Sequence, residues 1–249
     1  MTVNTGMLQP DGPGGMTGKR VVVTGGARGI GALTALECGR AGASVLVCDI
    51  VEPSATVDEL RAEGRSAEGR VVDVTDRSAL AAAFADYGRF DALITCAGIY
   101  GQCTNINDLD DAEVTRVLDI NVKGTLWTLQ AALPHMRKRG GRIVCVGSIA
   151  GQAGGRTGPH YVATKGAVHA LVKWAAKTQA KHGVLVNGVA PGAVDAPIVR
   201  GKGYMPDYCP LGRLAHPEEI ARVAVFLASP AASYVTGAVV DVDGGAGLG

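Results

Sequence analysis

The segment RVVVTGGARGIGALTALECGR, residues 20–40, places a β-branched run, a glycine-rich turn and a helical pattern in direct succession. The run Val21–Val23 is typical of a strand buried on both faces of a parallel sheet. The stretch 29–40 repeats apolar residues every three or four positions and ends near Gly39 and Gly42, which predicts an amphipathic helix. A strand that turns directly into a helix predicts the first unit of an α/β fold.

The same succession recurs along the rest of the chain. Apolar runs follow at 43–49, 69–74, 91–95, 142–148, 184–190 and 238–242, and helical patterns lie at 110–139, 160–182 and 217–228. Strands and helices that alternate at this spacing imply right-handed crossovers. We therefore expect an α/β, doubly wound Rossmann fold, in which helices flank both faces of a parallel β-sheet.

No change of composition marks a second domain. We predict a flexible lead-in over residues 1–18 and one Rossmann-type catalytic domain over residues 19–249. A stretch rich in Gly and Pro at about 196–215 carries a few aromatic and apolar side chains. Because loops of this length in a compact domain often act as lids, we interpret it as a substrate loop that favours a small or medium, mostly uncharged substrate.

Charge and cysteine content argue against several classes of protein. The chain carries 24 basic and 23 acidic residues, a net charge of +1, which leaves no electrostatic footprint for nucleic acid or an acidic membrane. No uncharged stretch provides the ~20 apolar residues of a membrane helix, and the first residues do not have the pattern of a signal peptide. The six cysteines form no C-x-x-C pair and no metal-ligand cluster with the five histidines. We expect a cytoplasmic protein with no nucleic-acid or membrane partner and no bound metal.

The glycine-rich turn TGGARGIG, residues 24–31, has the composition of an anion site. Its glycines let the backbone approach a pyrophosphate, which the N–H groups and the dipole of the following helix would face. Asp49 ends the second predicted strand, where its carboxylate can accept hydrogen bonds from both ribose hydroxyls and repel a 2′-phosphate. The pattern therefore predicts NAD, although Arg28 in the turn could hold a phosphate and keeps NADP as an alternative.

Two further strand ends offer contacts to a nucleotide. Asp73 ends the third predicted strand, and Ala97-Gly98 ends the fourth. Because the ends of several strands meet at one crevice in this fold, these residues are candidate adenine and ribose contacts. Asp73 also suits an ordinary helix N-cap region.

Tyr161 and Lys165 lie four residues apart at the start of a predicted helix and therefore share a face. An ammonium beside a phenol stabilises the phenolate and lowers the pKa of Tyr161 from ~10 toward the operating pH. This change suits proton exchange with an alcohol or a ketone. Ser148, at the end of the fifth predicted strand, is placed to hydrogen-bond the same substrate oxygen, so we expect the three side chains to share one site.

These motifs jointly resemble those of the short-chain dehydrogenase/reductase family in its compact single-domain form, from Lys19 to Gly245. They are TGGARGIG (24–31), Asp49, Asp73-Val74, CAG (96–98), INVKG (120–124), GS (147–148), YVATK (161–165), PGAV (191–194) and VTG…VDGG (235–245). The resemblance implies a seven-stranded parallel β-sheet. It also implies assembly, so we expect a homotetramer, or alternatively a dimer, built through the two helices that carry Trp127 and Trp174.

The resemblance also implies a role for each matching residue. Asn121 would lie at a helix bend and hold a water that links the lysine to solvent, Ser148 would orient the substrate, and Tyr161 would transfer the proton. Lys165 would bind the nicotinamide ribose and lower the pKa of Tyr161. The predicted coenzyme-binding residues are Gly25, Arg28, Gly29, Ile30, Gly31, Asp49, Ile50, Asp73, Val74, Cys96, Ala97, Gly98, Tyr161, Lys165, Pro191, Gly192 and Val194.

Two positions depart from the family pattern. Cys96 stands where the family usually has an asparagine, so an amide that links strands is missing and we interpret this thiol as structural. Ala196 stands where the family often has a threonine near the nicotinamide amide, so backbone groups such as those of Val194 must orient the coenzyme.

His160 adjoins Tyr161, but neighbours in a helix do not share a face, and we expect it to point to the opposite side of the helix start.

The sequence predicts an NAD(H)-dependent oxidoreductase that interconverts a secondary alcohol and a ketone, with Tyr161 as general acid and base. An NADPH-dependent 3-oxoacyl thioester (acyl-carrier-protein) reductase is the alternative, because it would use the same catalytic residues; Arg28 supports it and Asp49 opposes it. A third hypothesis is a nucleotide-binding protein without catalysis, which the complete catalytic set argues against.

Overall fold

The computed structural model describes residues 15–136, 139–155, 157–195 and 209–247. Its strands are β1 (Arg20–Thr24), β2 (Ser44–Asp49), β3 (Ala67–Val71), β4 (Ala92–Thr95), β5 (Gly141–Val146), β6 (Val184–Pro191) and β7 (Val239–Val242). Its helices are α1 (Gly29–Arg40), α2 (Ser54–Ala62), α3 (Arg77–Tyr87), α4 (Asp111–Leu118), α5 (Gly124–Met136), α6 (Ala150–Ala153), α7 (Pro159–Gln179) and α8 (Pro217–Ala228). Short 3₁₀ turns lie at Ile106–Asp108, Ala180–His182 and Pro230–Ala232.

Within the described residues, the strands form one seven-stranded sheet in the order β3-β2-β1-β4-β5-β6-β7. Each neighbouring pair is parallel. The chain moves outward from β1 to β3 and then returns to the other side of β1 with β4. The predicted doubly wound Rossmann fold with seven parallel strands is therefore confirmed, and its switch point lies between β1 and β4.

Helices cover both faces of the sheet because successive strand residues point to opposite sides. Val21 and Val23 pack with buried residues of α1, α2 and α8 on one face. Val22 packs with buried residues of α3, α5 and α7 on the other. Two apolar cores of this kind fix the positions of the strand ends from which the site is built.

The third strand differs from its prediction. The apolar run suggested 69–74, whereas β3 spans Ala67–Val71 and Asp73 lies beyond its end. The pairing between β2 and β3 stops where Asp49 faces Val71, because β2 ends there. β3 is also the edge of the sheet, and 55% of Val71 is exposed, so the prediction of burial on both faces is wrong for this strand.

The helical pattern at 110–139 is interrupted in the structure. α4 and α5 are joined by a π-helical turn, Asp119–Lys123, which contains the buried Asn121. Such turns are frequent at functional sites, because the extra residue turns a side chain out of the regular ladder. The resemblance implied a bend at this residue. Arg137 and Lys138, which fall near the end of the predicted helical pattern, lie outside the described residues.

The predicted lead-in and the predicted substrate loop are described only in part. Residues 1–14 and 196–208 lie outside the described residues, and with them Ala196 and most of the predicted substrate loop. Met16 is buried in the core and its N–H donates to Ala41 O (2.7 Å), so this part of the lead-in packs against the domain. No helix in the described ranges has both the length and the apolar character to span a bilayer.

Candidate active site

A cavity of about 1130 Å³ lies along the carboxyl ends of the central strands. Residues that follow β1, β4, β5 and β6 line it, among them Gly25, Ala97, Ser148 and Gly192. Ligands of open parallel sheets bind in this position, outside the strand ends and beside the switch point. The fold therefore presents one large candidate site at the edge where the sequence predicted it.

The glycine turn packs so tightly that larger side chains would not fit. Gly25 has a φ of +70°, and a Cβ at this position would lie 2.6 Å from Ala97 N. A Cβ at Gly31 would overlap the carbonyl oxygen of Gly25. These two glycines let the turn, α1 and the end of β4 approach one another, which is the close packing that a dinucleotide turn needs.

The start of α1 is open toward the cavity. Arg28 occupies the N-cap position in extended conformation, and its side chain makes no capping hydrogen bond. The N–H groups of the first helical turn are consequently available to a ligand, and the helix dipole favours an anion there. Gly29 also lines the cavity, and a Cβ at this position would meet open space. These features fit the pyrophosphate of a dinucleotide.

Asp49 stabilises the glycine turn in addition to lining the cavity. Its Oδ2 accepts a hydrogen bond from the N–H of Ala27 (2.9 Å), and its Oδ1 accepts one from the N–H of Val51 (3.2 Å). Each carboxylate oxygen can accept a further bond, so the side chain can still bind ribose hydroxyls. Arg28 and Ile50 are exposed at the same rim of the cavity.

The structure brings the predicted residues together at this one cavity. Each of the predicted coenzyme-binding residues lines it, from Gly25 in the turn to Val194 after β6, and so does Ser148. Asp73 and Val74 reach it from the segment after β3 rather than from the strand itself. Their roles in binding remain predictions, but their proximity is a property of the fold.

Lys165 is a buried cation at the base of the site. It lies one turn after Tyr161 on α7, is 7% exposed, and its Nζ donates to Val146 O (3.0 Å). Burial lowers the pKa of Lys165 to about 8, and the nearby thiols of Cys96 and Cys145 oppose that shift. The Nζ lies 5.6 Å from the centre of the Tyr161 ring, so the predicted pair of cation and phenol is adjacent in space.

Asn121 connects the π-helical turn to the segment that follows β4. Its Oδ1 accepts a hydrogen bond from the N–H of Ile99 (2.8 Å), and its Nδ2 donates to Ile99 O (2.9 Å). The Nδ2 also lies 3.1 Å from the hydroxyl oxygen of Thr164 on α7. Asn121 therefore links three elements behind Lys165, whereas the cavity itself is lined by its neighbour Ile120.

Ser148 lies two residues beyond the end of β5 and is 7% exposed. Its Oγ accepts a hydrogen bond from the N–H of Ala150 (3.2 Å), and its own N–H points to Nε2 of His169 (3.4 Å). Burial, together with the charge of Lys165, lowers the pKa of His169 and favours the neutral imidazole that can accept this bond. The hydroxyl of Ser148 is thus fixed at the wall of the cavity.

Cys96 lines the cavity as a protonated thiol. Burial raises its pKa to about 12. A Cβ at Gly31 would lie 3.1 Å from the Cys96 Cβ, so the thiol is part of the close packing between α1 and β4. This geometry agrees with the structural interpretation of Cys96.

Among the described residues, no group of His, Cys, Asp and Glu is arranged to hold a metal ion.

Sequence reasoning missed the segment between β4 and α4. Tyr100 stacks on Tyr161 with ring centres 4.1 Å apart and planes 21° apart. His160, expected to point away from the site, is buried beside Glu113 of α4. An aromatic residue two positions after the CAG motif was the available signal for Tyr100. The contact between His160 and Glu113 joins residues far apart in sequence and left no local signal.

Known proteins share this fold and much of this sequence. A family model described as enoyl-(acyl carrier protein) reductase matches residues 24–247. Cis-4-hydroxycyclohexanecarboxylate dehydrogenase from Sinomonas cyclohexanicum is 42% identical over 90% of this chain and 94% of its own length. Galactitol 2-dehydrogenase from Rhizobium johnstonii is 38% identical over 92% of this chain and 95% of its own length. The crystal structure of a 3-oxoacyl-[acyl-carrier protein] reductase with bound NAD from Brucella melitensis has a TM-score of 0.89 and 34% identity, and the match covers 96% of this chain and 93% of that one.

Fold, site and relatives together define an oxidoreductase built on a Rossmann sheet. The chain belongs to the short-chain dehydrogenase/reductase family. The family predicted from the motifs is therefore confirmed.

Proposed function

We propose that this protein is an NAD(H)-dependent dehydrogenase that interconverts a secondary alcohol and a ketone. The observation that carries the proposal is the position of Ser148, Tyr161 and Lys165 around the same cavity as the glycine turn and Asp49. Two relatives are named as dehydrogenases of hydroxylated compounds, cis-4-hydroxycyclohexanecarboxylate and galactitol, which supports an alcohol as the substrate.

The residues of the chain divide the work of binding and proton transfer. The open N-terminus of α1 would hold the pyrophosphate, Asp49 the adenosine ribose, and Lys165 the nicotinamide ribose. A bound nicotinamide would supply or accept the hydride. The Ser148 hydroxyl would hydrogen-bond the substrate oxygen while the Tyr161 hydroxyl gives or takes its proton. The ammonium of Lys165 favours the phenolate form of Tyr161.

The test of this proposal combines a substrate screen with one substitution. We expect the purified protein to reduce NAD in the presence of some member of a panel of secondary alcohols, sugar alcohols and hydroxysteroids, followed by absorbance of NADH. Tyr161→Phe keeps the ring but removes the proton donor, so turnover should fall by about 10²–10⁴-fold while the Kd for NADH stays nearly unchanged. Unaltered turnover in Tyr161→Phe would contradict the mechanism.

An NADPH-dependent 3-oxoacyl thioester reductase is the second candidate. Arg28, exposed at the rim of the cavity, could pair with a 2′-phosphate, and the Brucella melitensis relative is named as a 3-oxoacyl-[acyl-carrier protein] reductase. That relative holds NAD, and Asp49 would repel the phosphate, so we rank this candidate second. Affinities for NADH and NADPH measured side by side distinguish the two, because a clear preference for NADPH would favour the reductase.

We further propose how the protein is organised in the cell. Residues 19–249 would form one catalytic domain in which the loop at about 196–215 covers the substrate. The chain would assemble as a homotetramer, or alternatively as a dimer, and work in the cytoplasm on a small molecule. None of the six cysteines, which all lie in the described ranges, forms a disulfide, which is in keeping with a reducing compartment.

A further inference from the structure

We propose that Glu113 and His160 act as positioning residues that hold Tyr100 against the reactive Tyr161 and so fix one wall of the substrate pocket. The inference rests on the proposed dehydrogenase function, because it gives that function two additional residues. Glu113 lies in the first turn of α4, and His160 lies at the start of α7 directly before Tyr161. The segment 99–103 contacts both of them.

A single carboxylate oxygen of Glu113 contacts both the segment 99–103 and His160. Oε1 of Glu113 accepts hydrogen bonds from the backbone N–H groups of Gln102 and of Cys103, the latter at 2.9 Å. The same oxygen lies 3.2 Å from Nε2 of His160, within ion-pair distance but not aligned as a hydrogen bond. The hydrogen bonds from Cys103 and Gln102, together with the nearby His160, lower the pKa of Glu113 and keep it ionised. A carboxylate that accepts backbone N–H groups forms stronger bonds than a neutral acceptor does.

The imidazole of His160 fills the space beneath the segment. Its side chain is 2% exposed. Gly101 and Gly158 pack directly against the ring, and a Cβ at either position would overlap an imidazole atom. His160 therefore packs against the backbone of Gly101, and Glu113 holds the next two residues by accepting hydrogen bonds from their N–H groups.

Tyr100 lies between two anchors. On its N-terminal side, Asn121 holds both backbone polar groups of Ile99. On its C-terminal side, Glu113 holds Gln102 and Cys103. With the chain fixed on both sides, the Tyr100 ring stays stacked on Tyr161, and both rings line the cavity. A substrate that reaches the Tyr161 hydroxyl must accommodate the position of this second ring.

Four variants test the pair. Glu113→Ala removes the acceptor, Glu113→Gln keeps a neutral acceptor oxygen, His160→Ala removes the support, and the fourth combines Glu113→Ala with His160→Ala. Asp58→Ala, at an exposed carboxylate of α2 away from the cavity, is the matched control. Each protein is assayed for kcat and KM with alcohol and coenzyme varied separately, and for amide hydrogen exchange at Ile99, Gln102 and Cys103.

We expect Glu113→Ala and His160→Ala to lower kcat/KM for the alcohol by about 10- to 100-fold, the loss typical of misplaced reacting groups, without raising KM for the coenzyme. Glu113→Gln should retain most of the activity. The double variant should have a kcat/KM for the alcohol no lower than that of the less active single alanine variant, because both residues act through the same segment. Amide exchange should rise at Gln102 and Cys103 in Glu113→Ala while Ile99, held by Asn121, stays protected.

Other results would overturn the proposal. Unchanged exchange at Gln102 and Cys103 together with wild-type kcat/KM in Glu113→Ala would show that the pair positions nothing. Equal losses of kcat/KM for alcohol and coenzyme, or additive losses in the double variant, would show that the two residues only stabilise the fold and do not position Tyr100. If the wild-type protein oxidises no alcohol and reduces no ketone, the proposed function is wrong, and the exchange data alone then decide whether Glu113 holds the segment.

Discussion

Burying the ammonium of Lys165 has a cost that depends on pH. The pKa of Lys165 is about 8 in the folded protein, below its ordinary value of 10.5. The unfolded chain therefore holds this proton more tightly, and the charge opposes folding at neutral pH. As the pH rises through 8, Lys165 loses its proton in the folded protein, and the destabilisation caused by its buried charge decreases. This destabilisation disappears only above the pKa that Lys165 has in the unfolded chain.

Lys165→Met tests this effect, because methionine keeps an unbranched apolar stem and carries no charge. The free energy of unfolding of the wild type, relative to that of the variant, should rise by roughly 2 kcal/mol between pH 7 and pH 10. Urea denaturation at each pH measures the difference. Lys173→Met is the control, since Lys173 lies exposed on the same helix and should show no such trend. A difference that stays constant for Lys165→Met would contradict the lowered pKa.

At the scale of elements, the boundaries that follow from local chemistry could be predicted. α8 spans Pro217–Ala228 as expected, because a proline and two glutamates mark its start and the His216 N–H donates to Glu219 Oε2 (2.8 Å). α1 likewise follows its prediction. The end of β3 depended on where its neighbour β2 stops, and the stacking of Tyr100 on Tyr161 depended on the sheet bringing distant strand ends together. Such long-range contacts leave no pattern within a short window of sequence.

The glycine turn supplies a prediction for an element as a whole. In Gly31→Ala, the added methyl group would overlap the carbonyl of Gly25 and push α1 away from the turn. We expect the Kd for NADH, measured by fluorescence titration, to increase by at least about tenfold, which corresponds to about 1.4 kcal/mol.

Gly64→Ala is the matched control for this substitution. Gly64 has a φ of +73° in a turn after α2, and a Cβ there would meet open space. Its replacement should lower stability by about 1 kcal/mol through backbone strain without changing the Kd. If both variants bind NADH as the wild type does, the turn is not the coenzyme site.

At the scale of the whole molecule, α5 and α7 present an apolar groove of about 470 Å³ on one side. Trp174 was expected at a subunit contact, and in the single chain 58% of it is exposed, with Leu126 beside it at 37%. Exposed apolar patches of this kind mark interaction sites in soluble proteins. The groove lies where the resemblance predicted that subunits meet.

If the proposed homotetramer or dimer forms through this groove, Trp174→Glu should reduce the mass of the particle in solution. A charge in an apolar subunit interface is costly to desolvate, so we expect light scattering after size-exclusion chromatography to show a smaller species than in the wild type. Tyr234→Glu is the control, because Tyr234 is fully exposed and does not line the groove. An unchanged mass for Trp174→Glu would exclude this face as an essential contact.

Because Asp49 would contact the coenzyme and also stabilises the glycine turn, its replacement is a poor single step for changing the coenzyme preference. The carboxylate that would select between dinucleotides also holds the Ala27 and Val51 N–H groups. A smaller neutral residue would admit a bulkier nucleotide but leave those amides without their acceptor. Engineering such a switch consequently calls for a second change that restores an acceptor near Ala27, and an evolutionary path through the single substitution would pass through a protein with a weakened turn.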